Sequence, residues 1–258
     1  MSPTTSDVLD QSLTRRLLET VVRLGDTVQL ASERRERFIE ALIELTGSDA
    51  GHWAWGRGRP PASGIVTLAV LPLGYTPDQL TAMHELSQDP VYDHEVRSRL
   101  MGQIGIDGQV CVTNDDVFAN GSWEQSGTFA YYRRVGLYAW LNAIRYTTDD
   151  TWVNLHLIRS VGKEKFSPRE TSLIGLALAS VSWLYPAVSE RVPPEDIAEL
   201  TPRQRLVLTH LLDGLSRKQI ARRLELTENT VGDHIKTIYQ HFGVHSVAAL
   251  AAQFLKNQ

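Results

Sequence analysis

The sequence predicts an α+β chain in two parts. Residues 1–185 combine helices with an antiparallel sheet, residues 186–198 form a linker, and residues 199–258 make an all-α unit of four helices. Three observations predict this. The last sixty residues carry four helical stretches, each opened by a capping residue. The middle of the chain replaces helical periodicity with β-rich runs and a hairpin pattern. Between the two, Arg191-Val192-Pro193-Pro194-Glu195-Asp196 sets adjacent prolines after a helix, the composition of a semi-rigid spacer.

Bulk properties narrow the class. A 42% hydrophobic content is ample for a packed core. The net charge of −4 divides unevenly: residues 199–258 carry +3 and the remainder −7. A basic end on an acidic body fits a nucleic-acid-binding module joined to something that does not bind nucleic acid. Cys111 is the only cysteine, so a disulfide framework or cysteine-based metal site within one chain is excluded and a reducing compartment is expected. Its place in Gln109-Val110-Cys111-Val112 reads as a small core residue. Met1 to Gln11 is polar and is not a signal peptide. The most apolar run, Leu173 to Val188, falls short of the ~20 residues needed to span a bilayer. A cytoplasmic protein without a membrane partner is expected.

The N-terminal elements follow in order. Leu9, Leu13, Leu17, Leu24 and Val28 form one helical stripe. Ser32 is positioned to cap a second helix with Phe38, Ile39, Leu42 and Leu45 inward and Gly47 as its stop. Its charged run Glu33-Arg34-Arg35-Glu36-Arg37 reads as a solvated face. His52 to Gly56 and Ile65 to Leu71 read as strands around a proline-bearing turn. Asp78 to Leu86 and Pro90 to Leu100 look helical, Val110 to Thr113 extended, and Ser122 to Arg134 helical. Trp140 to Tyr146 and Trp152 to Arg159 flank Thr147-Thr148-Asp149-Asp150, a hairpin. In its second strand Val153, Leu155 and Leu157 share one face; Trp152, Asn154, His156 and Ile158 share the other. Phe166-Ser167-Pro168 opens a long helix to about Tyr185.

The C-terminal elements carry their own punctuation. Thr201-Pro202-Arg203-Gln204 is a capping box with proline at the first helical position. The helix it opens carries Leu206, Leu208, Leu211 and Leu212 and stops at Gly214. Ser216-Arg217-Lys218-Gln219 is a second capping box, opening a short helix with Ile220, Ala221 and Leu224 on one face. Thr227 caps a third helix that ends at Gly243, and Ser246 caps a last one bearing Val247, Leu250, Ala251, Phe254 and Leu255. A short helix, a tight turn and a longer helix make a helix-turn-helix, whose second helix enters the major groove. At about 100° per residue, Val231, Ile235, Ile238 and Phe242 define the core side of that helix, and Asn229, Asp233, Lys236, Thr237 and Gln240 lie opposite. The same pattern fits a helical bundle whose outer face is only solvated.

Leu200-Thr201-Pro202-Arg203, Gly214-Leu215-Ser216-Arg217-Lys218-Gln219-Ile220-Ala221, Thr230-Val231, His234 and Phe242-Gly243-Val244 resemble the LuxR-type (GerE-like) DNA-binding domain, without a gap over about sixty residues. The resemblance implies a four-helix domain that binds double-stranded DNA as a dimer, pairs through its last helix and regulates transcription. Gln204 and Leu206 stand where that family usually has glutamates. Gly232 stands where many members have a lysine, and Asp233 follows it. Asp233 repels phosphate but can accept from cytosine N4. Lys236 matches the family's groove-facing lysine. DNA contacts are accordingly expected from Thr227, Asn229, Thr230, Asp233, Lys236, Thr237 and Gln240, with Arg217, Lys218 and Arg222, joined by Arg223, against the backbone.

The layout before the linker resembles a GAF-like sensor domain, and Tyr132 to Gly136, the strand ending at Arg159 and Phe166-Ser167-Pro168 resemble the N-terminal halves of other LuxR-type regulators. That resemblance implies an antiparallel sheet, packed helices and often a small-molecule pocket. A pocket is expected to use Trp53, Trp140 and Trp152, with Arg145 or His156 as polar anchors. An aromatic core without any pocket is the plainer reading of the same residues. A phosphoacceptor receiver would need βα alternation, which is absent, so Asp115-Asp116 reads as a turn or helix cap. The acyl-homoserine-lactone pattern of tryptophan, tyrosine and aspartate does not align. His52, His84, His94 and His156 are scattered and make no catalytic set. No catalytic residue, metal site or cofactor is expected. The expected function is a DNA-binding regulator, homodimeric, with RNA polymerase and a small-molecule effector as further partners. The competing class is a protein–protein interaction module without ligand sensing.

Overall fold

The computed structural model describes residues 11–28, 30–58, 66–147, 151–185 and 199–250. The linker at 186–198, the Pro60-Pro61 turn, the hairpin residues 148–150 and Ala251, Phe254 and Leu255 lie outside the described residues.

Two helices open the chain, α1 (Gln11–Thr27) and α2 (Ala31–Thr46). Strands β1 (Ala50–Arg57) and β2 (Val66–Leu73) follow, then α3 (Pro77–Gln88). Next, α4 (Pro90–Tyr92), a π-helical turn (Asp93–Arg97) and α5 (Ser98–Gly102) run on from one another. After β3 (Gln109–Thr113) come α6 (Asn114–Val117), a 3₁₀ segment (Ala119–Gln125) and α7 (Gly127–Arg134). Strands β4 (Leu137–Tyr146) and β5 (Thr151–Ser160) precede α8 (Pro168–Ser180) and a 3₁₀ turn (Ser182–Leu184). The C-terminal helices are α9 (Pro202–Leu212), α10 (Arg217–Arg223) and α11 (Glu228–Phe242). A last helix starts beyond Ser246, whose Oγ accepts the Ala249 N–H at 3.1 Å.

The five strands form one antiparallel sheet in the order β2-β1-β5-β4-β3. The β4–β5 hairpin is in the expected register, with Tyr146 opposite Trp152. Period-two alternation splits the sheet's side chains between two cores. Trp53, Trp55, Leu141, Val153, Leu155 and Leu157 face the layer of α1, α2 and α8. Ala54, Val110, Val112, Trp140, Ile144, Trp152 and Ile158 face the layer of α3 to α7.

Four local expectations are corrected. Ser32 does not cap α2: the N-cap is Leu30, without a side-chain cap, and Ser32 lies fully buried within the helix. The run Glu33 to Arg37 is not simply a solvated face. Arg35 is 1% exposed, with its guanidinium 4.4 Å above the Trp53 ring and Nη2 donating to the Tyr185 carbonyl. Ser32, Arg35, Phe38, Ile39, Leu42 and Thr46 form one buried stripe at helical spacing, so the position is a core position carrying a charge. The expected helix from Ser122 to Arg134 is two elements, because the Ser126 hydroxyl caps a new start by accepting the Phe129 N–H at 3.1 Å. Glu95 reinforces that start by accepting the Gly127 and Thr128 N–H groups. The helix expected to reach Tyr185 ends at Ser180, where Val181 turns extended. That turn lets the Leu184 carbonyl accept from Trp53 Nε1. Asp116 takes the capping role, its carboxylate accepting the Thr113 N–H at 2.8 Å.

Candidate nucleic-acid interface

The C-terminal helices are punctuated as the sequence predicts. The Thr201 and Ser216 capping boxes both form. Between α10 and α11 the chain reverses over Leu224 to Leu226, with Glu225 left-handed at φ 52° and the Leu226 N–H returning to the Ala221 carbonyl. The Thr227 hydroxyl caps α11 by accepting the Thr230 N–H at 3.1 Å, and Gly243 ends it at φ 62°. Val231, Ile238 and Phe242 are buried against Ile220 and Ala221 of α10 and the leucines of α9, while Ile235 is half-buried. This locks the rotation of α11 about its own axis.

The opposite face is bare. Thr227, Asn229, Asp233, Lys236, Thr237 and Gln240 are exposed along α11, and Thr230 is half-buried. The hydroxyls of Thr227 and Thr230 bond each other at 2.8 Å, and that of Thr237 donates to the Asp233 carbonyl. Asn229, Asp233, Lys236 and Gln240 therefore have the freest polar groups of the face. Arg217, Lys218 and Arg222 are exposed on α10. Arg217 reaches Glu228 at 3.7 Å across the turn, a loose surface pair of small energetic weight. Arg223 departs from its expected role, because it is half-buried and ion-paired with Glu36 of α2. His210, 2% exposed in α9, is pushed down to about 4 by burial and then by Arg223 and Arg203.

The five residues expected to line a small-molecule pocket do not converge. Trp53 points to the α2 side and Arg145 donates to the Ala179 carbonyl on the α8 side. Trp140, Trp152 and His156 share the opposite face. The reason is register: Trp53 pairs with Leu155, not with a residue of the Trp152 set. His156 packs between His52 and Trp140 at ring-centroid distances of 4.8 and 6.2 Å. His52 in turn meets Tyr75 Oη at 3.1 Å and Asn154 Oδ1 at 3.2 Å. Burial holds His156 well below the usual histidine range, with His52 adding to the effect. This polar cluster was not singled out by the sequence, although the parity of His52 with Asn154 and His156 across β1 and β5 was available once the register is known. Cys111 donates to the Thr171 carbonyl, and burial pushes its thiol up to about 12. Among the described residues no group of three or more His, Cys, Asp or Glu is arranged to hold a metal ion, and no helix is long and apolar enough to cross a membrane.

Residues 198–254 match the family described as bacterial regulatory proteins, luxR family. The nitrate/nitrite response regulator protein NarL of Escherichia coli (strain K12) is 51% identical over 41 residues, 16% of this chain and 19% of that protein. A nitrate/nitrite response regulator homolog of Haemophilus influenzae is 43% identical over 60 residues, 23% of this chain and 29% of that protein. The chain thus spans less than a third of the length of these relatives. The solved structure of CepR2 from Burkholderia cenocepacia, an N-acylhomoserine-lactone-dependent LuxR-family transcription factor, aligns at 14% identity and a TM-score of 0.45, over 67% of this chain and 93% of that one. The family match covers the helices whose caps, turn and exposed face are described above. Residues 198–254 therefore form a DNA-binding helix-turn-helix domain of the luxR family of bacterial regulatory proteins.

Proposed function

We propose that the whole chain is a cytoplasmic transcriptional regulator, not an enzyme, that binds double-stranded DNA as a homodimer. Two copies of α11 lie in successive major grooves, about 34 Å apart on a roughly palindromic site. The observation that carries this reading is the exposed row of Asn229, Asp233, Lys236 and Gln240 on a helix whose other side is locked in a core. Lys236 contacts a base edge or a phosphate, Asn229 and Gln240 read base edges, and Asp233 accepts from cytosine N4. Arg217, Lys218 and Arg222 take backbone phosphates. The residues beyond Ser246 pair the two copies, and RNA polymerase is the downstream partner. The N-terminal part serves as a GAF-like sensor, and a small molecule sits on the face of Trp140, Trp152 and His156. The shared face and the neutral histidines support a neutral, partly apolar effector.

The experiment is site selection from random DNA followed by a salt titration of the selected site. Lys236→Ala is expected to weaken binding about tenfold, within the ~1–3 kcal/mol of one good base contact. It is also expected to flatten the salt dependence by about one counterion if the contact is a phosphate. Unchanged affinity for the selected site would remove α11 from the groove. Binding partners captured without salt dependence would favour the protein–protein interaction module.

A further inference from the structure

The helix-turn-helix is not suspended from its linker alone; it is seated on the N-terminal part through groups on its rear side. Asp213, the C-cap of α9, accepts the backbone N–H of Ser32 at 3.1 Å through Oδ2. Ser32 is the second residue of α2. Its N–H is one of the four that an α-helix leaves without an intrahelical partner. The cap that α2 lacks in its own sequence is thus supplied from about 180 residues downstream. One turn further along α2, Glu36 pairs with Arg223 of α10. On the far side of α9, Arg205 donates to the Thr67 carbonyl in β2. Leu206, Val207 and Leu208 are consecutive and all buried, because α9 is held between α11 on one side and β2 on the other. An open cleft of about 390 Å³ is lined by the Glu36–Arg223 pair together with Leu30, Glu33, Leu215, Gln219 and Arg222.

We infer that Asp213, Arg223 and Arg205 form an intramolecular latch that holds the DNA reader on the N-terminal part with the polar face of α11 turned outward, and that Arg35 ties this latch to the sheet. Arg35 sits at the junction of three pieces. Its guanidinium covers the Trp53 ring on β1 and donates to the carbonyl of Tyr185, the last described residue before the linker. Burial pushes the Asp213 carboxyl above its usual range, and the Ser32 hydrogen bond and the Arg35 charge oppose that rise. A shift of β1 or of the end of the 3₁₀ turn therefore displaces a buried charge that acts on Asp213. Each latch contact is made by a residue off the exposed row of α11, so the docked form keeps that row free. The latch fixes the direction in which the reader faces rather than hiding it.

The test is amide hydrogen exchange on the full chain, read at Ser32. In the wild type the Ser32 N–H is expected to be protected, although its own helix offers it no acceptor. Glu36→Arg, which touches neither Ser32 nor Asp213 and sets like charges at Arg223, is expected to speed its exchange at least tenfold. The charge-swapped pair Glu36→Arg with Arg223→Glu is expected to restore protection, which separates an opened latch from a damaged fold. A Ser32 amide that exchanges freely in the wild type, or one that Glu36→Arg leaves unchanged, would overturn the inference. So would a failure of the swapped pair to restore protection while circular dichroism remains native. No DNA is present, so any of these results leaves the DNA-binding reading intact.

Discussion

Gly232→Ala should stabilise the helix-turn-helix without altering what it reads. Gly232 is the fifth residue of α11, inside the helix, where glycine costs about 0.8–1.0 kcal/mol relative to alanine. Its backbone is not left-handed, so that cost is not offset by any conformational need. A Cβ added there meets Arg217 Nη1 at 3.4 Å and Arg217 Cδ at 3.7 Å. These are ordinary contact distances to the end of a flexible, exposed side chain, so accommodation is nearly free. The net change is therefore a gain of about 1 kcal/mol, or ~4–8 °C for a unit of this size. Thermal unfolding followed by circular dichroism measures it, with exchange of α11 amides assigning the gain to that helix. DNA affinity should stay within about threefold, because the new methyl faces Arg217 and not the row of Asn229 and Lys236. A fall of several degrees would refute the reasoning. It would mean that Arg217 cannot yield and that glycine is there for close approach.

Acid should destabilise the protein well before carboxylates titrate. His210 is folded at about 4 and unfolded near 6.5, and His156 is also held well below 6.5. The unfolded chain takes up protons first, so stability is full above pH 6.5 and falls by ~1.4 kcal/mol per pH unit per histidine below it, as far as the folded pKa. Urea midpoints from pH 7 to 5 should show this, and a flat profile would contradict it. Arg159→Ala should cost about 3–5 kcal/mol, since it strands Glu170 in a nearly buried pair and frees the carbonyls of Thr46, Glu164 and Lys165. Denaturant unfolding reads this directly, and a loss below 1 kcal/mol would show the site to be hydrated.

How far the sequence could be read follows from what each signal is about. Capping boxes and glycine stops concern a helix and its immediate ends, and those at Thr201, Ser216 and Gly243 stand where they were expected. Helical angle fixed both faces of α11, and strand alternation fixed both faces of β5, for the same reason. One failure is local, the break at Ser126, whose hydroxyl caps a new helix start; the others are long-range. Ser32 has the chemistry of a cap, but an aspartate from the far end of the chain performs that function for α2. Arg35 occupies a core position by spacing, yet its charge argues for solvent, because the Trp53 ring and Tyr185 carbonyl that receive it are distant in the sequence. Residue type alone groups Trp53 with Trp140 and Trp152, whereas the face of a strand residue is set by pairing register. Arg223 looked like its neighbour Arg222 until Glu36 separated them.

The seating of α9 against β2 has a consequence for what happens when the chain is divided. β2 is an outer strand of the sheet, and its Thr67 carbonyl is occupied by Arg205 while α9 lies beside it. An outer strand with open backbone groups is a template for pairing with another chain. Removing residues 199–258 therefore takes away more than the part that binds DNA. It unroofs a ready-made seam on the remaining piece and favours strand-to-strand aggregation. A chain ending at residue 198 is therefore expected to self-associate where the full chain does not, which light scattering would read.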